Sequence, residues 1–330
     1  MELLKNLTQL SGVSANENTV SDLIINEVKN FCDEYYRDNL GNLIVHKKGT
    51  GKKVLFAAHM DEIGLMANYI DDKGFIRFAP VGGVDAFAAL YQRVVFANGV
   101  EGCVCFESKN DVKKDLKFSN MYIDIGASDK AEAERKISAG DVAVFKGDFA
   151  VLGSKVISKA LDNRIGVYAL VEAIKNIPTN TLDLYFVFSS QEEIGLKGAK
   201  VAAYTVEPEI AISVDVTGTG DTPGCETMDV KLGDGVAIKI MDKSVITHKG
   251  LRDFISRVAK DNDIAHQFEI LNYGGTDAGA MQLTKGGAVT GALSIPVRYV
   301  HTTCETANIA DVEACIRLVC EICKKDFIFV

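Results

Sequence analysis

Five short segments of this 330-residue chain carry a histidine or a carboxylate where it could bind a metal ion. Each segment follows a predicted strand or opens a predicted helix. Their candidate residues are His59 with Asp61, Asp162, Glu192 with Glu193, Asp215, and His301. The two histidines with three of these five carboxylates would suit a pair of zinc-like divalent ions. Because such ions activate water, these residues indicate metal-assisted hydrolysis.

His59 and Asp61 come after the apolar run 54–58, which is predicted to be a buried strand. Residues two apart in an extended chain face the same way. His59 could therefore bind a metal through one ring nitrogen while Asp61 accepts the other ring N–H or orients catalytic groups nearby. Taken alone, either residue could equally be a capped strand end.

Asp162 precedes a helix that the apolar spacing predicts over residues 163–177. By itself, such an aspartate is more often a helix N-cap. Its two carboxylate oxygens could equally bridge two cations, so both interpretations stay open here.

Glu192 and Glu193 are adjacent, just beyond the predicted apolar strand 182–189. Two neighbouring carboxylates at a buried strand end repel each other unless a metal or a proton relieves them. One could bind a metal while the other stays free as a general base. The alternative is a solvated loop.

Asp215 and His301 stand at the ends of two further predicted strands. In isolation, each is more simply an ordinary strand-end residue. Ligands of open α/β sheets gather beyond the carboxyl ends of the strands. We therefore expect all five segments to meet at one edge of a sheet, which is the strongest argument from the residues themselves.

The surrounding pattern predicts how these segments are positioned. Residues 3–31 are predicted to be helical with an interruption at 11–14, and Asn16 or Asn18 could cap the second helix. Predicted strands 43–46 and 54–58 flank a turn-like stretch and are expected to pair as a hairpin. Residues 65–152 contain short strand-like runs separated by turns, as in a small β-barrel or sandwich. Alternating helices and strands then resume, so an α/β domain interrupted by a β domain is predicted.

Composition narrows the possible functions. The net charge of −9 argues against nucleic acid as a partner. No apolar run approaches the roughly 18 residues that cross a bilayer, and the N-terminus does not resemble a signal peptide, so we expect a cytoplasmic protein without a membrane partner. Cys320 and Cys323 share the apolar stripe of a predicted helix over 311–327, which indicates buried, reduced thiols better than a structural zinc site.

The five segments, together with stretches 10–14 and 274–279, resemble the glutamyl and tetrahedral aminopeptidase family of dinuclear metallopeptidases over nearly the whole chain. The resemblance implies an α/β/α sandwich catalytic domain with a mixed sheet, formed by residues 1–64 and 153–330. It also implies an inserted small β-barrel domain over 65–152 that supports dimerisation. Proteins of this family typically assemble from dimers into hollow tetrahedral dodecamers.

The resemblance also implies a role for each candidate residue. Two Zn²⁺ or Co²⁺ ions per subunit are expected, with Glu192 as the general base and Asp61 supporting His59. The implied ligands are His59, Asp162 and Asp215 around one metal, and Asp162, Glu193 and His301 around the other.

The function predicted from these observations is hydrolysis of N-terminal residues from peptides. One alternative is a metal-dependent deacylase or carboxypeptidase of the same fold. A second is an endoglucanase-like glycoside hydrolase, since some relatives carry that label, although glycoside hydrolysis usually uses two carboxylates and no metal. A non-catalytic binding protein would lack the base or a ligand, and this chain has lost neither.

Overall fold

Residues 1–178, 181–225 and 227–328 are described by the computed structural model. Within them, the α-helices are α1 (Glu2–Gln9), α2 (Asn18–Val28), α3 (Ala86–Ala89), α4 (Val112–Asp115), α5 (Lys130–Glu134), α6 (Leu161–Asn176), α7 (Lys197–Val206), α8 (Lys249–Asp261), α9 (Asp277–Met281) and α10 (Ile309–Ile322). The strands are β1 (Glu34–Arg37), β2 (Leu43–Lys47), β3 (Lys53–His59), β4 (Gly64–Ile70), β5 (Ile76–Val81), β6 (Arg93–Phe96), β7 (Glu101–Phe106), β8 (Met121–Asp124), β9 (Val142–Phe145), β10 (Ala150–Leu152), β11 (Lys155–Ser158), β12 (Asp183–Ser189), β13 (Ile210–Thr217), β14 (Val236–Met241), β15 (His266–Ile270), β16 (Val289–Arg298) and β17 (Glu305–Asn308). One 3₁₀ turn covers Phe118–Asn120.

Eleven of the described strands form one mixed sheet. Its main path runs β1-β2-β12-β3-β13-β16-β17-β11-β10, while β14 pairs with β16, and β15 pairs with β14. The four central strands β12, β3, β13 and β16 are mutually parallel. Their carboxyl ends therefore lie side by side, as the sequence analysis expected for the strands that carry the candidate ligands.

The alternation of side chains along β3 shows why helices cover both faces of the sheet. Val54, Phe56 and Ala58 pack in the larger core, which also contains buried residues of α1, α2, α6, α8 and α10. Leu55 and Ala57 point the other way and pack with α7 and α9. A strand that is apolar on both faces requires a helical layer on each side, and the predicted α/β/α sandwich is confirmed.

The predicted hairpin between β2 and β3 is wrong. The strand β12 lies between them, antiparallel to β2 and parallel to β3. The loop that joins β2 and β3 passes over the start of β12, where the N–H groups of Thr50 and Gly51 bond to the carbonyl of Thr181. A side chain at Gly49 would place its Cβ 2.0 Å from the Leu182 carbonyl oxygen. The glycines of this loop thus allow a close crossing and do not form a hairpin turn.

Six strands close a separate antiparallel barrel in the order β4-β5-β8-β7-β6-β9. Its interior is a core of its own, built from alternating residues such as Val94, Phe96 and Val104. The predicted β-barrel is confirmed, and its strands extend from Gly64 to Phe145. Residues 150–152, which the sequence analysis assigned to the insert, form β10 of the large sheet.

Two local predictions concerned helix caps and cysteines. Asn16 and Asn18 do not cap α2, because Glu17 is its N-cap residue and Asn18 is its first residue. The Glu17 carboxylate instead accepts the N–H groups of Ala15 and Gln191. Cysteines of the α10 region are buried in the core as predicted, and none of the eight cysteines forms a disulfide. Within the described ranges, no helix has the length and apolar character needed to cross a membrane.

Candidate metal centre

The structure brings all the predicted ligands to the carboxyl edge of the central parallel strands. His59 is the last residue of β3 and is level with Ser189, the last residue of β12, which leads into Glu192 and Glu193. Asp215 lies near the end of β13. Two further residues reach the same place from α6 and from the turn after β16, namely Asp162 and His301.

The Asp162 carboxylate lies between the two histidines. Its Oδ1 is 3.1 Å from the Nε2 of His59, and its Oδ2 is 3.3 Å from the Nε2 of His301. Asp215 adds an oxygen 3.6 Å from His59 Nε2, and Glu193 adds one 3.2 Å from His301 Nε2. Two groups result, each with its ligand atoms within 4.8 Å of one another: His59, Asp162 and Asp215, and Asp162, Glu193 and His301.

Glu192 borders the same space from the β12 side. Its Oε2 is 3.9 Å from His59 Nε2, farther than the nearest oxygens of Asp162 and Asp215. It also forms a third group of closely spaced ligand atoms with His59 and Glu193. Glu192 is therefore near enough to act on a group bound at the centre, while each of the two other groups offers three ligand atoms without it.

The ring orientation of both histidines suits metal binding. The Nδ1 of His59 lies 3.1 Å from the main-chain oxygen of Asp61, and the Nδ1 of His301 lies 3.0 Å from that of Gly83. An Nδ1–H that donates to a carbonyl leaves the Nε2 lone pair free, which is the usual arrangement of a metal-ligating histidine. The two Nε2 atoms then face carboxylate oxygens at 3.1–3.3 Å. Two ligands on a tetrahedral ion with bonds of about 2.0–2.1 Å are spaced about 3.3 Å apart, so this donor set fits divalent metal ions.

Burial makes the cluster electrostatically costly without cations. It raises the pKa of Glu192 well above its usual value and also raises the pKa values of Glu193 and Asp215, although the nearby histidines act in the opposite direction. Burial also acts to raise the pKa of Asp162, but hydrogen bonds from His301 and His59 outweigh it and the pKa is lowered. Four buried carboxylates share two histidines, an excess of negative charge that divalent cations would neutralise.

The helix-cap interpretation of Asp162 is wrong. Asp162 and Asn163 have non-helical dihedral angles within α6, and the regular helix after them is capped by Asn163, whose Oδ1 accepts the N–H of Gly166 at 3.2 Å. Its side-chain oxygens face the histidines, while its own main-chain N–H donates to Glu305 at 3.0 Å. The position that suggested a cap instead aims the carboxylate at the space between the two histidines.

Asp61 is fully buried and holds the segment that carries the two glutamates. Its Oδ1 accepts the N–H of Glu192 at 3.0 Å, and its Oδ2 accepts the N–H of Glu193 at 3.2 Å. The Oδ2 also accepts the hydroxyl of Ser14 at 2.6 Å. The predicted contact with the His59 ring is longer, because Nδ1 is 3.4 Å from Asp61 Oδ1 and closer to the Asp61 main-chain oxygen.

Sequence reasoning missed three contributors to this centre. The loop between β5 and α3 contributes Gly83, whose carbonyl contacts His301, and a Cβ at this position would come within 2.7 Å of the imidazole. The strand β17 contributes Glu305, which no sequence pattern distinguishes. Asp277 accepts a short hydrogen bond from Ser189 at the end of β12. Only Asp277 had a signal, because it lies in the glycine-rich stretch 274–279.

A cavity of about 680 Å³ opens from the metal-ligand cluster. Its walls combine the candidate ligands with the residues that follow β13 and β16 and with the loop before α9. This volume accommodates a small ligand or the end of a peptide chain.

Residues 41–318 match the family described as M42 glutamyl aminopeptidase. The chain belongs to this family. It is 52% identical to a putative aminopeptidase of Acetivibrio thermocellus over 320 residues, which cover 97% of each protein. It is 36% identical to a lysyl aminopeptidase of Pyrococcus furiosus, covering 96% of this chain and 94% of that protein. The family assigned by resemblance is thus confirmed, and the chain is an aminopeptidase of the M42 family.

Several solved structures share the whole architecture. An aminopeptidase from the archaeon Desulfurococcus kamchatkensis superposes with a TM-score of 0.94 at 36% identity, covering 98% of this chain and 94% of that one. The TET1 peptidase of Pyrococcus horikoshii, described as assembling into a tetrahedron or a large octahedral shell, gives 0.90 at 38% identity with 98% and 99% covered. A Thermotoga maritima structure described as an endoglucanase gives 0.84 at 31% identity with 99% and 98% covered.

Proposed function

We propose that this protein is a metal-dependent aminopeptidase that hydrolyses N-terminal peptide bonds with two divalent ions bridged by Asp162. The observation that carries the proposal is the placement of the two Asp162 oxygens, each within 3.1–3.3 Å of a different histidine Nε2. A carboxylate whose two oxygens serve two separate ligand groups is the arrangement that a two-ion site requires.

The two ligand groups would each hold one ion, and Zn²⁺ or Co²⁺ suits their nitrogen and oxygen donors. When bound, the ions would polarise the scissile carbonyl and lower the pKa of a bound water. The ion contacted by His59 would share Asp162 and add Asp215. The ion contacted by His301 would share Asp162 and add Glu193.

Glu192 is the best candidate for the general base. It lines the cavity, and neither of the two ligand groups that include Asp162 needs it. In the reaction, Glu192 takes a proton from the attacking water and returns it to the leaving amine. Asp61 holds the Glu192 N–H and so fixes where the base stands.

The cavity walls favour an uncharged N-terminal side chain. Among the described residues, the cavity is lined by one lysine or arginine side chain, that of Arg298. Its guanidinium donates two hydrogen bonds, of 2.9 and 2.6 Å, to Asp221. A guanidinium paired in this way has little remaining attraction for an acidic substrate. Leu271 and Tyr273 contribute apolar surface to the same cavity. We therefore expect residues such as leucine or methionine to be preferred over glutamate.

The assembly and location are part of the proposal. We propose a homo-oligomer built from dimers through the β-barrel domain and extending to a dodecamer, supported by the shells described for the similar TET1 peptidase. Light scattering coupled to size-exclusion chromatography would measure the mass directly, and a stable monomer would contradict the assembly. The predicted cytoplasmic location stays a prediction, as do the residue limits of the two domains.

A panel of aminoacyl reporter substrates tests the activity. Purified protein would be stripped with a chelator, reconstituted with Zn²⁺ or Co²⁺, and assayed with free and N-acetylated Leu, Met, Glu and Lys reporters. We expect hydrolysis that requires metal and a free α-amine. Cleavage of the acetylated substrates would instead support a deacylase. Chelator-resistant cleavage of β-glucan would support the endoglucanase alternative, which the structural likeness to the Thermotoga maritima protein raises.

A further inference from the structure

Glu305, the first residue of β17, accepts hydrogen bonds from the main chain of two candidate ligands. Its Oε1 accepts the main-chain N–H of His301 at 2.8 Å, and its Oε2 accepts that of Asp162 at 3.0 Å. The residue as a whole is 2% exposed. One buried side chain thus connects the backbone of the bridging ligand to the backbone of a ligand that is 139 residues away in sequence.

The backbone is strained at one of these contacts and close to the other. His301 has a φ angle of 63°, and Ala160, two residues before Asp162, has a φ angle of 53°. Residues other than glycine seldom adopt this left-handed conformation. Unfavourable local conformations persist only where the surrounding structure holds them in place. The hydrogen bond from His301 to Glu305 acts directly at one strained residue, and the bond from Asp162 anchors the chain two residues after the other.

The two carboxyl oxygens of Glu305 are directed to these N–H groups and not to a lysine. Lys159 lines the same small cavity as Glu305, but its ammonium binds both oxygens of Glu62 at 2.9 and 2.7 Å. A carboxylate that accepts two main-chain N–H bonds forms charge-assisted hydrogen bonds, which are stronger than neutral ones.

From this geometry we propose that Glu305 is a positioning residue for the metal centre. It fixes Asp162 and His301 at the spacing that both ions need, and it does not contact substrate or metal itself. Glu305 matters most for the affinity of the ion held by Asp162, Glu193 and His301, because it orients two of the three protein ligands of that ion. The ion at His59 and Asp215 depends on Glu305 through Asp162 alone. The inference rests on the proposed two-ion site.

Glu305→Gln tests this role. The amide is nearly the same size, but its NH₂ group would face one of the two N–H donors, so one of the hydrogen bonds is lost. We expect the affinity for one of the two metal equivalents to fall about 10- to 100-fold, the usual effect of losing a residue that orients a metal ligand. Isothermal titration of the metal-free protein with Zn²⁺ would measure this. The visible spectrum of the Co²⁺-loaded protein would report the changed coordination without any activity assay.

Asp311→Asn is the matched control. Asp311 is likewise fully buried, and its carboxylate also bridges two main-chain N–H groups, those of Gly233 and Gly235, at 2.8 Å each. The control should lower thermal stability to a similar extent while leaving both metal affinities and the Co²⁺ spectrum unchanged. If Glu305→Gln does not fold, Glu305→Asp keeps both acceptors at a shorter reach and is expected to show a smaller loss of the same metal equivalent.

The possible outcomes separate the proposals. Wild-type metal affinity in a folded Glu305 variant would overturn the positioning role while leaving the two-ion site intact. An equal loss of affinity in Glu305→Gln and Asp311→Asn would also overturn it, because the effect would then be general destabilisation. If wild-type protein binds no divalent metal, the proposed function itself fails, and the positioning role fails with it.

Discussion

Exchanging Asp61 for asparagine separates the support of the catalytic segment from direct metal binding. Asp61 accepts three hydrogen bonds, two of them from the N–H groups of Glu192 and Glu193. Asparagine has one oxygen and one NH₂ group on the same framework. Whichever way the amide is turned, it presents a donor to one of these two N–H groups. This segment carries the proposed base, Glu192, and the proposed ligand, Glu193. The main-chain N–H of one of these two residues therefore loses its hydrogen-bond acceptor.

The size of the effect follows from that single loss. Leaving one buried donor unsatisfied costs about 1–3 kcal/mol. If the segment moves to relieve this cost, the stabilisation of the transition state falls by a similar free energy. Each 1.36 kcal/mol corresponds to a tenfold change in rate. We therefore expect kcat/KM of Asp61→Asn to fall about 5- to 150-fold, mainly through kcat.

The assay is hydrolysis of a Leu reporter at saturating metal, with metal content measured on the same samples. Ser14→Ala is the control, because it removes the third hydrogen bond to Asp61 but leaves both N–H bonds in place. It should reduce kcat/KM by a smaller factor than Asp61→Asn. Equal activities of Asp61→Asn and wild type, or a larger loss in Ser14→Ala, would refute the reasoning.

Three further predictions follow from other contacts. Glu192→Gln should retain metal but lower kcat by about 10²- to 10⁴-fold, the usual contribution of a general base, and undiminished turnover would exclude that role. Lys239→Met should lower the free energy of unfolding in urea by about 3–5 kcal/mol, because Glu269 would keep a buried charge without its partner; an unchanged midpoint would contradict this. Arg298 lowers the pKa of Asp221 to about 2. The stability from this pair should therefore be present above about pH 4 and lost as pH falls towards 2, so wild type and Asp221→Asn should converge in acid, and a constant difference would argue against the pairing.

The convergence of the site could be predicted from the sequence because it depends on local patterns. Strands buried on both faces are recognisable as short apolar runs, and a polar residue directly after such a run is placed at the strand end. Asp215 after its apolar strand is an example. The identity of the family was likewise recognisable from motifs that each span only a few residues.

Features that depend on distant parts of the chain could not be predicted. The hairpin prediction failed because the strand that separates β2 from β3 begins at Asp183, well over a hundred residues later. The cap interpretation of Asp162 failed because its partners, His59 and His301, lie on remote segments. Glu305 had no signal at all, since a buried glutamate that accepts two main-chain N–H groups looks like any other glutamate in sequence.

The most direct test of the two-ion site is anomalous X-ray diffraction from crystals of the Zn²⁺-loaded protein. The account predicts two peaks per subunit, about 3.5–4 Å apart, each within bonding distance of a different Asp162 oxygen. One peak should also contact His59 and the other His301. A single peak, or two peaks of which neither contacts Asp162, would contradict the central claim that this carboxylate bridges two metal ions.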